Sequence, residues 1–106
     1  MASIMQGTTP AITINISPDD FSLSAATKME LYVKNGDAIT TYTAQDLVVD
    51  TEANTITRQF TEAETAAMNP AKFLTVQARF WFGTEVVGIN KITFSVGDMI
   101  GVGADG

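Results

Sequence analysis

The acidic residues of one short segment have the spacing of a calcium-binding loop. Asp50, Glu52 and Asn54 occupy the first, third and fifth positions of such a loop, where oxygen atoms meet the ion. The loop also requires a glycine at its sixth position and a bidentate glutamate at its twelfth, and Thr55 and Thr61 stand there. Asp and Asn are also favoured in tight turns, because their side chains bond to the nearby backbone. We therefore interpret the segment as a hairpin turn and predict no metal site.

Residues 101–106 match the glycine pattern G-x-G-x-x-G of a dinucleotide-binding turn. That turn binds phosphate only when a helix follows it, because the amides of the helix N-terminus hold the pyrophosphate. No helix follows Gly106 in this sequence. We expect no nucleotide cofactor, and no cofactor of any other kind.

Nucleophilic catalysis lacks its usual partners in this chain. The sequence contains neither histidine nor cysteine, so the commonest general base and the thiolate nucleophile are both missing. A Ser–Lys pair remains as an alternative, but no Ser-x-x-Lys occurs, and Ser24 and Lys28 are four positions apart. The sequence thus predicts a protein that is not an enzyme and has no catalytic residues.

Aromatic residues are the remaining candidates for a function. Residues 74–82 alternate strictly, as in a strand with one buried face, and Trp81 falls on the face that should meet water. Exposed tryptophan and tyrosine are favoured at protein interfaces. Arg79 and Tyr32 share the outward parity of their strands, and Tyr42 is a further candidate. Two interpretations stand: these four residues form a contact surface, or a parity reversal or a loop covers the Trp81 ring.

Alternation and turn residues predict the elements that position these side chains. Strands are expected over residues 12–16, 29–34, 38–43, 47–49, 55–60, 74–82 and 87–96. Asn35-Gly36 predicts a type I′ hairpin, in which both residues take positive φ. Thr61 and Glu64 form a capping box for the one short helix, near residues 61–68. About seven strands with one short helix indicate an all-β fold, a two-sheet β-sandwich.

Length and charge limit the class of protein further. The 106 residues suit a single domain, here residues 1–96, followed by a flexible glycine-rich tail over residues 97–106. Twelve acidic and six basic residues give a net charge of −6, and the scattered bases predict no nucleic-acid partner. No apolar run approaches the roughly 20 residues of a membrane helix, so no membrane insertion is expected. Residues 1–7 have neither the basic nor the apolar region of a secretory signal.

Several segments carry a resemblance to a known group of proteins. Residues 6–10 (QGTTP) precede an alternating strand, residues 61–65 (TEAET) follow a hairpin, and a long aromatic strand and a terminal strand come after them. This order, over residues 6–96, resembles small immunoglobulin-like β-sandwich proteins encoded among the structural (tail or baseplate-type) genes of tailed phages and prophages of Gram-positive gut bacteria. The Cys…Trp…Cys pattern of antibody domains is missing, which excludes that branch.

The resemblance implies a non-enzymatic structural or assembly protein of a virion or its tail. Its partners would be other virion proteins or further copies of itself, as a homo-oligomer. Its location would be the virion, or the host bacterial cytoplasm before assembly. The alternative is a carbohydrate- or host-surface-binding module, in which Trp81 and Tyr32 stack on sugar rings.

Overall fold

Nine strands and one short helix make up the computed structural model, which describes residues 3–99. The glycine motif at residues 101–106 and most of the predicted tail lie outside the described residues. The strands are β1 Ser3–Met5, β2 Ala11–Asn15, β3 Lys28–Asn35, β4 Ala38–Thr43, β5 Val48–Asp50, β6 Thr55–Gln59, β7 Leu74–Phe82, β8 Glu85–Gly88 and β9 Ile92–Gly97, and the helix α1 is Glu62–Ala66. Short 3₁₀ turns occupy Leu23–Ala25 and Ala44–Asp46.

The strands form two sheets, which confirms the all-β sandwich. The larger sheet has six strands in the order β1-β9-β7-β3-β4, with β8 also pairing with β7. The smaller has three, in the order β2-β6-β5. These orders correspond to the G-F-C-C′ and B-E-D arrangements of immunoglobulin-like domains. All pairs are antiparallel except β1 with β9.

The core consists of the inward residues of the alternating strands. The predicted strand over 74–82 is β7, and Leu74, Val76 and Phe80 on its inward face are fully buried. Ala78 of β7 also belongs to this core, and the other strands contribute Ile4, Ile12, Ile14, Met29, Leu31, Val33, Ile56 and Val96. Leu23, in the first 3₁₀ turn, also packs into this core. Burial of such side chains contributes roughly 1.5–3 kcal/mol each, so this layer is the main source of stability.

The hairpin predicted at Asn35-Gly36 is present, but its turn type differs from the prediction. Asn35 pairs with Ala38, so Gly36 and Asp37 form the two-residue loop. Gly36 has φ +65°, whereas Asn54 is the one non-glycine residue with positive φ within 3–99. Positive φ at the first central position alone corresponds to a type II′ turn. Asn35 instead ends β3, and its side chain bonds to the backbone of residues 69–73.

Two strands replace the single long strand predicted over 87–96, and a bulge separates them. β8 pairs with the second half of β7, from Arg79 to Phe82, and β9 pairs with its first half. Arg79 lies opposite Gly88, and Val76 lies opposite Ile92. Three steps along β7 therefore correspond to four steps from β8 to β9, so the segment that joins β8 to β9 contains one extra residue. The extra residue lies between Gly88 and Ile92, in the segment that contains Asn90 and Lys91.

The helix also agrees with its sequence prediction. Thr61 caps α1 by accepting a hydrogen bond from the Glu64 N–H, and the Glu64 carboxylate accepts one from the Thr61 N–H. The helix connects β6 of the smaller sheet with β7 of the larger one. It thereby fixes the position of Glu64 between the two sheets.

The N-terminal strand was not predicted. Residues Ser3–Met5 pair in parallel with residues 95–97, and Ile4 between them is buried. Gly97, expected to begin the flexible tail, is instead the last residue of β9 and lies opposite Met5.

Candidate functional site

Three of the four predicted contact residues lie together on the outer face of the six-stranded sheet. β3 and β7 are neighbours, and their register places Lys28 opposite Trp81 and Glu30 opposite Arg79. Tyr32 follows two residues after Glu30, on the same face. The adjacency of the Tyr32 and Trp81 strands, which sequence could not establish, is thus a property of the fold.

Hydrogen bonds join Tyr32, Glu30 and Arg79 into a cluster, which we call the outer triad. The Tyr32 hydroxyl donates to Glu30 Oε1 over 2.6 Å and accepts from Arg79 Nε over 3.0 Å. The Arg79 guanidinium also lies 3.6 Å from Glu30 Oε1. The bond from Tyr32, together with the charges of Lys28 and Arg79, holds the pKa of Glu30 below its usual value. Desolvation and the Glu30 carboxylate raise the pKa of Tyr32.

The Trp81 ring has two cations close to it and is half-buried. Lys28 Nζ is 4.6 Å from the ring centroid, and the Arg79 guanidinium carbon is 4.7 Å from it. Such cation–π contacts stabilise by about 0.5–1 kcal/mol at exposed sites. Lys28 and Arg79 thus account for part of the cover on Trp81, which is not freely exposed.

Tyr42 does not belong to this surface. It lies opposite Leu31 of β3, a core residue, so its side chain faces the interior of the sandwich. There its hydroxyl donates to Glu64 Oε2 over 2.8 Å, and the Arg58 guanidinium carbon lies 4.0 Å from its ring centroid. The prediction that Tyr42 is an outward contact residue is corrected, because the two-residue turn sets a register that points it inward.

Tyr42, Glu64 and Arg58 form a second cluster of the same three residue types, which we call the inner triad. Arg58 forms an ion pair with Glu64 and also donates to the Asp46 carbonyl over 3.0 Å. Burial acts to raise the pKa of Glu64, but the bonds from the Thr61 N–H, Tyr42 and Arg58 outweigh it, and the pKa is lowered. Burial and the bond to Glu64 raise the pKa of Tyr42. Nothing in the part of the chain that the structure describes bonds to Arg58 Nε.

Apolar side chains are exposed around the outer triad. Ile39 lies opposite Lys34 and Val86 opposite Trp81, so both belong to the outer face, and they are 62% and 47% exposed. Phe73, just before β7, is 59% exposed. A groove of about 610 Å³ opens on this face. Its lining consists of Tyr32, Lys34, Gly36, Ile39, Lys72, Phe73, Thr75, Gln77, Lys91 and Thr93.

The segment with calcium-loop spacing has a structural role. The Asp50 carboxylate accepts hydrogen bonds from the N–H groups of Glu52 and Ala53, as in a turn. Asn54 is buried with φ 58°, and its amide bonds to Ile16, Phe21 and Leu23. Within residues 3–99 no group of three or more acidic, histidine or cysteine side chains is placed to hold a metal ion.

Comparisons with known proteins add no relatives. No protein-family model matches the sequence, and no curated protein matches it at a significant level. Among residues 3–99, no helix has the length and apolar character needed to cross a bilayer. The fold defines the class: an all-β, two-sheet sandwich of immunoglobulin-like strand order.

Proposed function

We propose that this protein is a non-enzymatic structural or assembly protein that acts through protein–protein contacts on the outer face of its six-stranded sheet. The observation that carries the proposal is the composition of that face. It combines the ordered Trp81–Arg79–Tyr32 cluster with the exposed side chains of Ile39 and Val86. Aromatic and arginine anchors next to exposed apolar area are characteristic of protein interfaces.

The free edge of the same sheet supports the proposal. β4 is an edge strand with no charged residue and no proline. The Thr43 N–H donates to the Asp46 carboxylate instead of to β3, so by alternation those of Ile39 and Thr41 also point away from β3. Natural proteins usually block such edges with charge or proline. An open edge suits pairing with a strand of a second copy or of another protein.

The biological setting belongs to the same proposal and rests on the resemblance in sequence. We place the protein in a phage or prophage particle, tail-associated, with other virion proteins or its own copies as partners. The genomic neighbourhood tests this part directly. Flanking tail or capsid genes are the expected finding, and a neighbourhood without them would remove its main support.

Self-association is tested by sedimentation velocity at rising protein concentration. Trp81→Ala is expected to weaken association while the melting temperature falls by only a few degrees. Val48→Ala is the matched control, because Val48 is 65% exposed but lies on the smaller sheet. A wild-type protein that stays monomeric, or equal effects of the two variants, would contradict association through the outer face.

The carbohydrate-binding alternative requires an open aromatic face. Lys28 and Arg79 both lie within 5 Å of the Trp81 centroid, in space that a stacked sugar ring would need. This argues for the protein contact over the sugar contact. A glycan array separates the two, because a protein that acts only through protein contacts gives no hits, and saturable hits lost in Trp81→Ala would favour the alternative.

A further inference from the structure

The six cations of this acidic chain divide into two equal groups. Lys28, Arg58 and Arg79 each pair with a glutamate. The other three are exposed lysines, and no carboxylate of residues 3–99 forms an ion pair with any of them. These three are Lys34, Lys72 and Lys91, and all of them line the groove on the outer face.

The fold brings these lysines together from three distant positions of the chain. Lys34 is on β3, Lys72 precedes β7, and Lys91 lies in the bulge before β9. None of the twelve acidic residues is among the lining residues. A protein of net charge −6 thus presents a groove whose formal charge is +3 from its three lysines. Uncompensated cations in an acidic protein create a local field that attracts anionic groups.

The groove runs across the strands. Ile39, Lys34, Thr75 and Thr93 lie side by side on β4, β3, β7 and β9. Neighbouring strands are about 4.8 Å apart, so this row is about 14 Å long, the length of an extended segment of about four residues. Thr75 and Thr93 offer hydroxyls on the floor, and Ile39 and Phe73 add exposed apolar side chains. Gly36 leaves room beside Lys72, since a Cβ there would lie 3.2 Å from Lys72 Cγ.

We infer that this groove binds an acidic polypeptide segment of a partner protein, one that carries carboxylates and apolar side chains on the same face. The carboxylates would meet Lys34, Lys72 and Lys91, and the apolar side chains would contact Ile39 and Phe73. This inference rests on the proposed function, because it names the partner chemistry of the same sheet face. A polysaccharide acid would satisfy the lysines but would leave Ile39 and Phe73 in contact with a polar chain.

A pair of short fluorescein-labelled peptides tests the inference by fluorescence anisotropy. One has the sequence GSEELFEEGS, in which each face of an extended chain carries both glutamate and an apolar side chain, and its control, GSQQLFQQGS, replaces each glutamate with glutamine. The acidic peptide is expected to bind more tightly than the control, and added salt should reduce the difference. In a parallel ¹⁵N-NMR titration, amide shifts are expected at Ile39, Thr75 and Thr93.

Two double variants separate the effect of the groove lysines on peptide binding from the effect of the net charge. Lys72→Gln with Lys91→Gln lowers the net charge by two, and so does Gln45→Glu with Thr51→Glu at exposed sites outside the groove. Each lysine removed is expected to weaken acidic-peptide binding about two- to fivefold, the range of exposed ion pairs. The control variant should bind nearly as the wild type does. Equal weakening by the two variants would overturn the groove assignment.

The remaining outcomes distinguish this inference from the function on which it rests. Failure of both peptides to bind, with self-association still sensitive to Trp81→Ala, would overturn the groove inference and leave the proposed function standing. A monomeric wild type that binds no peptide would overturn both. Binding of hyaluronan or of a single-stranded oligonucleotide in place of the acidic peptide would show a general polyanion site and would also overturn the inference.

Discussion

The inner and outer triads contain the same three residue types in two different environments. In each, a tyrosine hydroxyl donates to one glutamate carboxylate, an arginine forms an ion pair with that carboxylate, and the guanidinium lies near the tyrosine ring. The glutamates are exposed to a similar degree, 20% in the outer triad and 28% in the inner one. The arginines are not, since the Arg79 side chain is 51% exposed and the Arg58 side chain 15%.

The difference shows that residue type alone does not determine the role of an ion pair. Arg58 is covered by the aromatic rings of Tyr42 and Phe60, with centroid distances of 4.0 and 5.7 Å. A guanidinium in that setting has lost its water and depends on its protein partners. Arg79 keeps half its surface in solvent and can exchange water for a partner protein. The inner triad therefore serves stability, and the outer triad suits recognition.

Removing each arginine gives the largest expected contrast. Arg58→Ala should lower the free energy of unfolding by about 2–3 kcal/mol, because it leaves Glu64 without its cation and opens the packing on Tyr42. Arg79→Ala should lower it by less than about 1 kcal/mol, as for exposed pairs. Urea unfolding at neutral pH measures both. Similar losses in the two variants would contradict the assignment of separate roles.

Lowering the pH tests the same comparison, because it protonates the glutamate of each triad. The folded-state pKa of Glu64 is lowered. The ionised Glu64 carboxylate therefore contributes to the free energy of unfolding above the unfolded-state pKa of about 4.5, and this contribution is lost as the pH falls through the lowered folded-state pKa. Glu64→Gln should flatten the fall in unfolding free energy below pH 5, while a glutamine still completes the capping box. Glu30→Gln should flatten it less, because the Glu64 carboxylate also accepts the Thr61 N–H. Urea titrations at stepped pH provide the measurement, and a larger effect of Glu30→Gln would reverse the ranking.

The hydroxyl groups give the smallest expected contrast. Tyr42→Phe removes the bond to Glu64 inside the sandwich and should lower the free energy of unfolding by about 1 kcal/mol. Tyr32→Phe removes a bond on the outer face, where water replaces the hydroxyl, and should lower it by about half as much or less. Thermal unfolding of the two variants under one buffer checks the order. A greater loss in Tyr32→Phe would show that the outer triad also stabilises the fold.

Local patterns in the sequence were enough to predict most of the fold. Alternation over 74–82 predicted β7 because every second residue enters one core. The Thr61–Glu64 capping box predicted α1 because its bonds join residues three positions apart. The parallel pair of β1 and β9 could not be predicted in this way, since it joins residues more than 90 positions apart and β1 has only three residues.

The candidate site was harder to predict from the sequence than the fold, for two physical reasons. The strand Ala38–Thr43 reads AITTYT, and its large apolar residues Ile39 and Tyr42 have opposite parities, so alternation cannot tell which faces inward. The groove lysines are separated by 38 and 19 positions, and only the strand order brings them to one face. A contact surface made by neighbouring strands leaves no linear pattern.

Asn54 connects parts of the fold that are far apart in sequence and so acts as a non-covalent cross-link between them. Its amide accepts from the Leu23 N–H and donates to the carbonyls of Ile16 and Phe21, at separations of 31 to 38 residues. These three bonds fasten the segment that follows β2 to the turn between β5 and β6. One buried amide thus holds together two segments of residues 3–99 that no strand pairing joins.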